Sequence, residues 1–524
     1  MIQEIDYFAI APPLTLALFA GLVLVLDAFL PARPRVRPAL GLVTLAGVLV
    51  ALGFVVAQAV RGGSALSTFC VPPGLNAPGG GCSYVVDRFT LILAGLVLVA
   101  AVVVVLMSMT ELARGDIPVG EWHFLLLCTL VGAVILPASR DLIMLVVALE
   151  LVSLPVFALT ALKRYDGRSS EAAVKLFLVS VVSTAVMLFG VSLLYGIGGS
   201  VFLDRLGAVL GGEAAAPGRP GAGASVLGAS VLGAEHGLPG VVTVGVVLVV
   251  AGFAFKIAAV PFHAWAADVY QGAPIPVAAL LSVISKAAGF AGLILVLVTA
   301  LPGQAGAWVP IVAILSALTM TAGNLLAMRQ RSAVRLLAWS SVAQSGYILA
   351  PLAVAPAGTG AGASVAYLVM YAAMNLGAFA VVMLVSRVAR RNELDDYRGL
   401  AFRSPVAALA LAFCLLCLAG LPPGLAGLFA KIVVFREIVD GGAGWLAVVM
   451  AVNTVIGLYY YVAWTARLFV PVTAIGGAVR EGAAQAVVAP RSAPAVWVAI
   501  GVAVAVAVLF SAAPQLVLDL TTVT

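Results

Sequence analysis

The sequence predicts an all-α polytopic membrane protein with about fourteen transmembrane helices, and three observations carry that reading. Of its 524 residues 63% are hydrophobic and 10% charged, with a mean hydropathy of +1.17, a balance no ordinary soluble globule shows. The apolar residues are gathered into runs of about 20, the length a helix needs to cross a ~30 Å hydrocarbon core. The 23 arginines lie almost entirely between those runs, whereas four of the five lysines, Lys175, Lys256, Lys286 and Lys431, lie in or against them.

Taken in order, the spans fall near 8–30, 39–60, 87–109, 121–138, 141–162, 172–197, 241–270, 274–300, 306–328, 333–354, 363–387, 404–440, 444–470 and 493–516. The first run follows an acidic start, Glu4 and Asp6, instead of a basic stretch, and shows no small-residue cleavage site, so it reads as a retained helix. The seventh run would measure about 45 Å as one straight helix at ~1.5 Å per residue, too long for the core. It contains Pro261, and the still longer twelfth run contains Gly420, Pro422, Pro423 and Gly424. Proline removes a backbone donor and collides with the preceding turn, so helices 7 and 12 are expected to be discontinuous, with a lysine close to each break.

The two breaks are five spans apart. An odd offset reverses the orientation of the second unit, the condition for inverted-topology repeats, so spans 4–8 and 9–13 read as two inverted five-helix repeats. The expected organisation is an N-terminal three-helix segment at 1–110, a first repeat at 121–300, a second at 306–470 and a C-terminal helix within 471–524.

With the N-terminus outside, loops expected in the cytoplasm hold 18 positive charges: Arg33, Arg35, Arg37, Arg114, Lys163, Arg164, Arg168, Arg329, Arg331, Arg335, Arg387, Arg390, Arg391, Arg398, Arg403, Arg467, Arg480 and Arg491. The opposite loops hold six: Arg61, Arg88, Arg140, Arg205, Arg219 and Arg436. This asymmetry predicts both termini on the exterior side. The net charge of +6 therefore marks loops at a lipid surface and no basic domain for nucleic acid.

Cys128, Cys414 and Cys417 fall inside spans, where thiols act as small apolar groups. Cys70 and Cys82 share the exterior loop 61–86, rich in glycine and proline; they form either a disulfide or two unpaired loop thiols. The stretch 198–240 reads as a flexible exterior loop, with or without a short surface helix, and without catalytic content.

The chemistry lies in the intramembrane charges. Arginine keeps its proton, whereas a lysine can lose it when desolvated and regain it beside a carboxylate, so buried lysines are suited to a proton path. Lys256 adjoins the first break and Lys286 lies about 13 residues into the eighth span, so neither reaches an interface. Lys175 stands near a span end, where it either snorkels to water or takes part in the path. Glu150, about nine residues into the fifth span and followed by Pro155, is costly in a membrane unless neutral or paired. His263 follows Lys256 by two helical turns and either joins the path or is a core histidine satisfied by a freed carbonyl. His123, beside Trp122, reads as an interfacial anchor.

Five patches add a family resemblance. The stretch Val260, Pro261, Phe262, His263, Trp265, Asp268, Tyr270, Gly272, Ala273, Pro274 and Pro276 resembles the signature of the antiporter-like membrane subunits of proton-pumping NADH:quinone oxidoreductase, complex I. Glu150 through Pro155, Ser285–Lys286 and Gly420 through Lys431 are similar to other patches of that family, and Glu393 through Leu400 with the lysine of the eighth span look most like its subunit N. The resemblance covers roughly 85–470; Ala266 and Ala267 depart from it, since the family more often carries a hydroxyl residue and proline there. It implies that Glu150 partners Lys175, that Lys256 is the central proton-holding lysine, that Lys286 links it to the second repeat, and that Lys431 is the terminal lysine. Loosening the Glu150–Lys175 contact would then change the hold of Lys256 on its proton.

No CxxC cluster, Rossmann fingerprint or haem-type histidine pair occurs, so no cofactor is expected in this chain and no electron transfer within it. The resemblance places FMN and iron–sulfur clusters in partner subunits, with the lipid bilayer of a bacterial inner membrane and the other complex I subunits as surroundings. The alternative is a subunit of a multisubunit cation/proton antiporter, with the same fold and no redox coupling. A membrane scaffold is disfavoured, because arginine or leucine would serve it better than four buried lysines.

Overall fold

A computed structural model of the chain describes residues 5–30, 36–72, 81–113, 115–163, 166–211, 239–354, 359–389, 391–471 and 494–521. Arg33, Arg35, Arg114, Arg164, Arg219, Arg390, Arg480 and Arg491, and most of the stretch expected to form an exterior loop at 198–240, lie outside the described residues.

The membrane helices are α1 (Ala11–Phe29), α2 (Val36–Arg61), α3 (Arg88–Leu112), α4 (Val119–Ile135), α5 (Leu142–Ala161) and α6 (Gly167–Gly198). A short α7 (Leu203–Leu210) is followed by α8 (Pro239–Lys256), α9 (Ala266–Gly272) and α10 (Ile275–Ala300). The second half holds α11 (Ala305–Ala327), α12 (Ala333–Leu349), α13 (Thr359–Ser386), α14 (Pro405–Ala419), α15 (Leu425–Asp440) and α16 (Gly444–Phe469), and the chain closes with α17 (Pro494–Ala512) and α18 (Gln515–Thr521). Eleven helices among the described residues are long and apolar enough to cross a membrane. The other three predicted spans are the two broken ones, α8–α9 and α14–α15, and the 17-residue α12.

Local chemistry sets the helix ends. Asp87, Asp141, Asp166 and Ser332 accept from backbone N–H groups in the first turns of α3, α5, α6 and α12. Gly199 and Gly420, at φ 64° and 83°, close α6 and α14 in the left-handed conformation that favours glycine. The core runs along α10 and α13, whose most apolar windows are 89% and 94% buried, whereas α6 is 28% buried and presents Val174, Phe177, Leu178 and Val181 outward.

One backbone device marks the repeats. The N-cap of α5, Asp141, forms an antiparallel bridge with Phe202 beyond α6, and the N-cap of α12, Ser332, forms the same bridge with Glu393 beyond α13. The bonds correspond: Leu142 N to Val201 O at 2.9 Å and Leu203 N to Arg140 O at 3.0 Å, against Ala333 N to Asn392 O at 2.9 Å and Leu394 N to Arg331 O at 2.7 Å. Five spans separate the copies, so they sit at opposite ends of the bundle, as inversion requires.

Two expectations are corrected. The segment 61–86 is not loop throughout: β1 (Leu66–Cys70) and β2 (Cys82–Val86) form an antiparallel hairpin with Cys70 opposite Cys82. Thr68, Tyr84 and Val86 are buried on one face of the hairpin while Ser67 and its partner Val85 stand on the other, the period of two that glycine and proline composition masked. Among the described residues of the C-terminal segment there are two helices where one was expected, α17 and α18, separated at Ala513–Pro514. Cys70 and Cys82 are joined by a disulfide twelve residues apart. Closing a loop of that size stabilises by about 3 kcal/mol. Mass spectrometry of unreduced peptides from protein purified without reductant is expected to show the cross-linked pair; two free thiols would contradict the assignment.

Candidate functional site

Lys256 is the last residue of α8. The chain leaves the helix there, five residues ahead of Pro261, and Ala258 takes the left-handed φ of 57°. Carbonyls and amides released by the turn are met from both repeats: Trp265 Nε1 donates to Phe255 O at 3.3 Å, Ser345 Oγ to Ile257 O at 2.7 Å, and Val260 N to Thr319 Oγ1 at 2.9 Å. Thr319 and Ser345 belong to α11 and α12, so the break of the first repeat is fastened by the second.

The ammonium of Lys256 finds three acceptors for its three N–H groups: Glu150 Oε1 at 3.3 Å, Ser153 Oγ at 2.7 Å and Ser180 Oγ at 3.1 Å. Glu150 Oε1 also accepts from Thr184 Oγ1 at 2.7 Å. The lysine side chain is 6% exposed and the glutamate 25%, so the pair lies at the wall of the bundle, partly open on the carboxylate side.

Glu150 therefore partners Lys256, and the expected Glu150–Lys175 pairing is corrected. Lys175 and Thr184 are nine residues apart on α6, about 13 Å along its axis at ~1.5 Å per residue, and Glu150 lies level with Thr184. Lys175 instead meets Glu171 at 2.7 Å and Asp268 at 3.2 Å. Asp268 also holds Arg335 of α12 at 3.0 Å, so this half-exposed cluster ties the ends of α6, α9 and α12 together. The helical spacing assumed for His263 is likewise corrected: residues 257–265 form turns, so His263 does not follow Lys256 by two helical turns. Its ring packs against Trp339 at 5.5 Å, and its Nδ1 has no hydrogen-bond partner among the described residues. His123 is fully buried in α4 instead of standing at an interface.

Lys286 follows a π-helical turn, Leu281–Ser285, in the middle of α10, a distortion frequent at functional sites. Its ammonium donates to Ser341 O and, at 2.6 Å, to Ser341 Oγ, and lies 5.5 Å from the centre of the Tyr371 ring. Tyr371 OH donates to Ser341 Oγ at 2.9 Å. Ser345 Oγ contacts both Ser341 O, at 3.2 Å, and Ile257 O. A short polar bridge thus joins the break beside Lys256 to Lys286.

Lys431 sits in α15 but reaches back across the second break, donating to Leu418 O at 3.1 Å and Ala419 O at 2.7 Å. These are the last carbonyls of α14, where the helix dipole favours a cation. Close approach of the halves permits this reach: a Cβ on Gly427 would collide with the Cys417 carbonyl. Ser511 of α17 caps the second half by accepting from Ala426 N at 3.1 Å.

Between Lys286 and Lys431 lies a polar lattice that sequence reading missed. Ser340 and Gln344 of α12 meet Tyr461 of α16, and Tyr367 OH donates to Gln344 Oε1 at 2.6 Å. Tyr367 stacks on Tyr347 at 6.1 Å, and Lys431 Nζ stands 5.7 Å from the Tyr347 ring. Asn324 joins Tyr347, Tyr460 and Asn453 at 3.0–3.3 Å. The missed signal is periodic: Tyr367, Tyr371 and Asn375 share one face of α13, and Ser340, Ser341, Gln344 and Ser345 crowd the centre of α12. No group of three or more His, Cys, Asp or Glu side chains able to hold a metal occurs among the described residues.

Two broken helices in inverted repeats, with buried lysines at or beside the breaks, define the class of antiporter-like membrane subunits. Residues 139–457 match the family model described as NADH:quinone oxidoreductase/Mrp antiporter, TM. The chain is 52% identical over 477 residues to NADH-quinone oxidoreductase subunit N 2 of Streptomyces griseus, covering 90% of this chain and 84% of that protein. It is 45% identical over 479 residues to subunit N of Salinispora tropica, covering 90% and 86%. The chain belongs to the NADH-quinone oxidoreductase subunit N family. Among solved structures it resembles a chain of respiratory complex I from Thermus thermophilus with bound aureothin, at 28% identity, TM-score 0.70 and coverage of 97% and 98%. A chain of the Mrp complex from Dietzia shares the fold at TM-score 0.75 and 22% identity, covering 97% and 96%.

Proposed function

We propose that this chain translocates protons as a membrane subunit of NADH:quinone oxidoreductase, through Glu150 and Lys256, then Lys286, then Lys431, with electron transfer confined to partner subunits that hold FMN and iron–sulfur clusters. The observation that carries this reading is the row of three buried lysines, each set at a helix break or π-turn, with clusters of hydroxyl and amide side chains between them. Ser341, Ser345, Gln344 and the tyrosines around them supply hydroxyl and amide groups that can hand a proton on with little backbone motion. The repeat boundaries 121–300 and 306–470, and placement in a bacterial inner membrane with both termini outside, belong to the same reading. Lys175, with Asp268 and Arg335, fixes the relative position of the repeats at one end of the bundle and is a positioning residue in this scheme.

The cation/proton antiporter reading shares the fold but receives less support, because the likeness to the Mrp chain stands at 22% identity while the relatives at 52% and 45% are subunits N. Purification in mild detergent is expected to bring down flavin and iron–sulfur chromophores with this chain, and vesicles containing the complex should take up protons when NADH is oxidised. A partner set without either chromophore would favour the antiporter. Glu150→Ala leaves Lys256 with serine acceptors alone and is expected to lower proton uptake to about a hundredth or less, the scale on which a positioned acid or base contributes. Glu150→Asp should be milder. Normal uptake by a fully assembled Glu150→Ala complex would remove the carboxylate from the relay.

A further inference from the structure

An apolar groove of about 940 Å³ runs down the bundle where α2, α3 and α13 meet α17 and α18. Its volume lies at the top of the ~300–1,000 Å³ range of small-molecule sites. Along α3 its lining extends from Arg88 to Val103, about 22 Å at ~1.5 Å per residue. That exceeds the ~15 Å of hydrocarbon in one leaflet, so the groove follows the membrane normal past the midplane. Small residues such as Gly95, Ala100 and Ala372 keep it deep, and a Cβ on Gly95 would meet nothing within 4 Å.

The mouth differs from the body. Arg61, the last residue of α2, and Arg88, the first of α3, stand there together at the end that carries the hairpin. Arg88 donates to the backbone carbonyl of Asp519, and Arg61 lies 5.7 Å from the Phe8 ring, but neither pairs with a carboxylate among the described residues. The neighbouring Asp87 is taken by Arg140 at 2.5 Å. Two guanidiniums with free donors above a long dry trough complement a ligand with an anionic head and hydrocarbon chains. A free inorganic anion would leave the trough empty, and a zwitterionic lipid would add a cation beside the guanidiniums.

We propose that this groove binds an anionic phospholipid, its phosphate held between Arg61 and Arg88 and an acyl chain lying along α3. Val369, Ala372, Ala373 and Leu376 of α13 form the opposite wall. The lipid therefore packs on the back of the helix whose other face carries Tyr367, Tyr371 and Asn375.

The test uses the assembled complex in phosphatidylcholine vesicles carrying a trace of phosphatidylglycerol or phosphatidylcholine with a photoreactive acyl chain, adducts being mapped by peptide mass spectrometry. The phosphatidylglycerol probe is expected to label α3 and α13 within the groove several-fold more than the phosphatidylcholine probe. Arg61→Gln with Arg88→Gln should lower its labelling to the phosphatidylcholine level, and Gly95→Phe, which fills the trough, should remove labelling there. Both variants should keep assembly and NADH oxidation; if Gly95→Phe fails to assemble, the arginine pair alone decides. Equal labelling by the two probes, loss of preference in neither variant, or cross-links placing a neighbouring subunit's helix in the groove would overturn the proposal.

Discussion

Lys256→Ala is expected to abolish most NADH-driven proton uptake and to weaken the bundle as well. The substitution strips Glu150 of its cation and leaves Ser153 and Ser180 without their shared donor. Removing one partner of a buried ion pair costs about 3–5 kcal/mol. The cost here falls toward the lower end, since the Glu150 side chain remains 25% exposed and Thr184 still donates to it. Adding Glu150→Gln to Lys256→Ala removes the orphaned charge, so the double variant should recover thermal stability in detergent without recovering uptake. Parallel recovery of both would make the pair structural.

Lys431→Ala is the second large effect. Nothing else among the described contacts donates to Leu418 O and Ala419 O, and each buried carbonyl left without a donor costs about 1–3 kcal/mol. The alanine variant is expected to loosen the α14–α15 junction and to stop proton transfer at the end of the relay. Lys431→Met preserves much of the side-chain volume but neither donor nor proton. It should pack better than alanine and pump no better, as judged by thermal unfolding of the purified complex and proton uptake in vesicles. Normal uptake by Lys431→Met would take this residue out of the path.

Much of this arrangement was legible in the sequence because charge inside an apolar run is rare and costly. Lys256, Lys286, Lys431 and Glu150 stood out on that ground, and Pro261 and the Gly420–Gly424 segment announced the two breaks. The pairing of Glu150 was not legible. Spacing along one helix gives depth, but which lysine a carboxylate meets depends on tilt and rotation against neighbouring helices; here α6 is 32 residues long and carries Lys175 well away from the level of Glu150. The spacing of His263 from Lys256 was misread because a helical period was carried through a segment that Pro261 had already excluded from a helix. The Tyr, Gln and Asn lattice escaped because a single hydroxyl or amide in a membrane helix is ordinary, and only the four-residue recurrence on α13 and the crowding on α12 distinguish it.

The central claim is that lysine is used at the breaks for a proton it can release, and Lys256→Arg and Lys431→Arg test it most directly. Arginine keeps the positive charge and can donate to Glu150 or to the α14 carbonyls, but it does not deprotonate in proteins. Protons taken up per NADH oxidised, measured in vesicles and normalised to assembled complex, should fall well below the parent ratio in each variant. A parent ratio in both would show that permanent charge suffices and would contradict the relay.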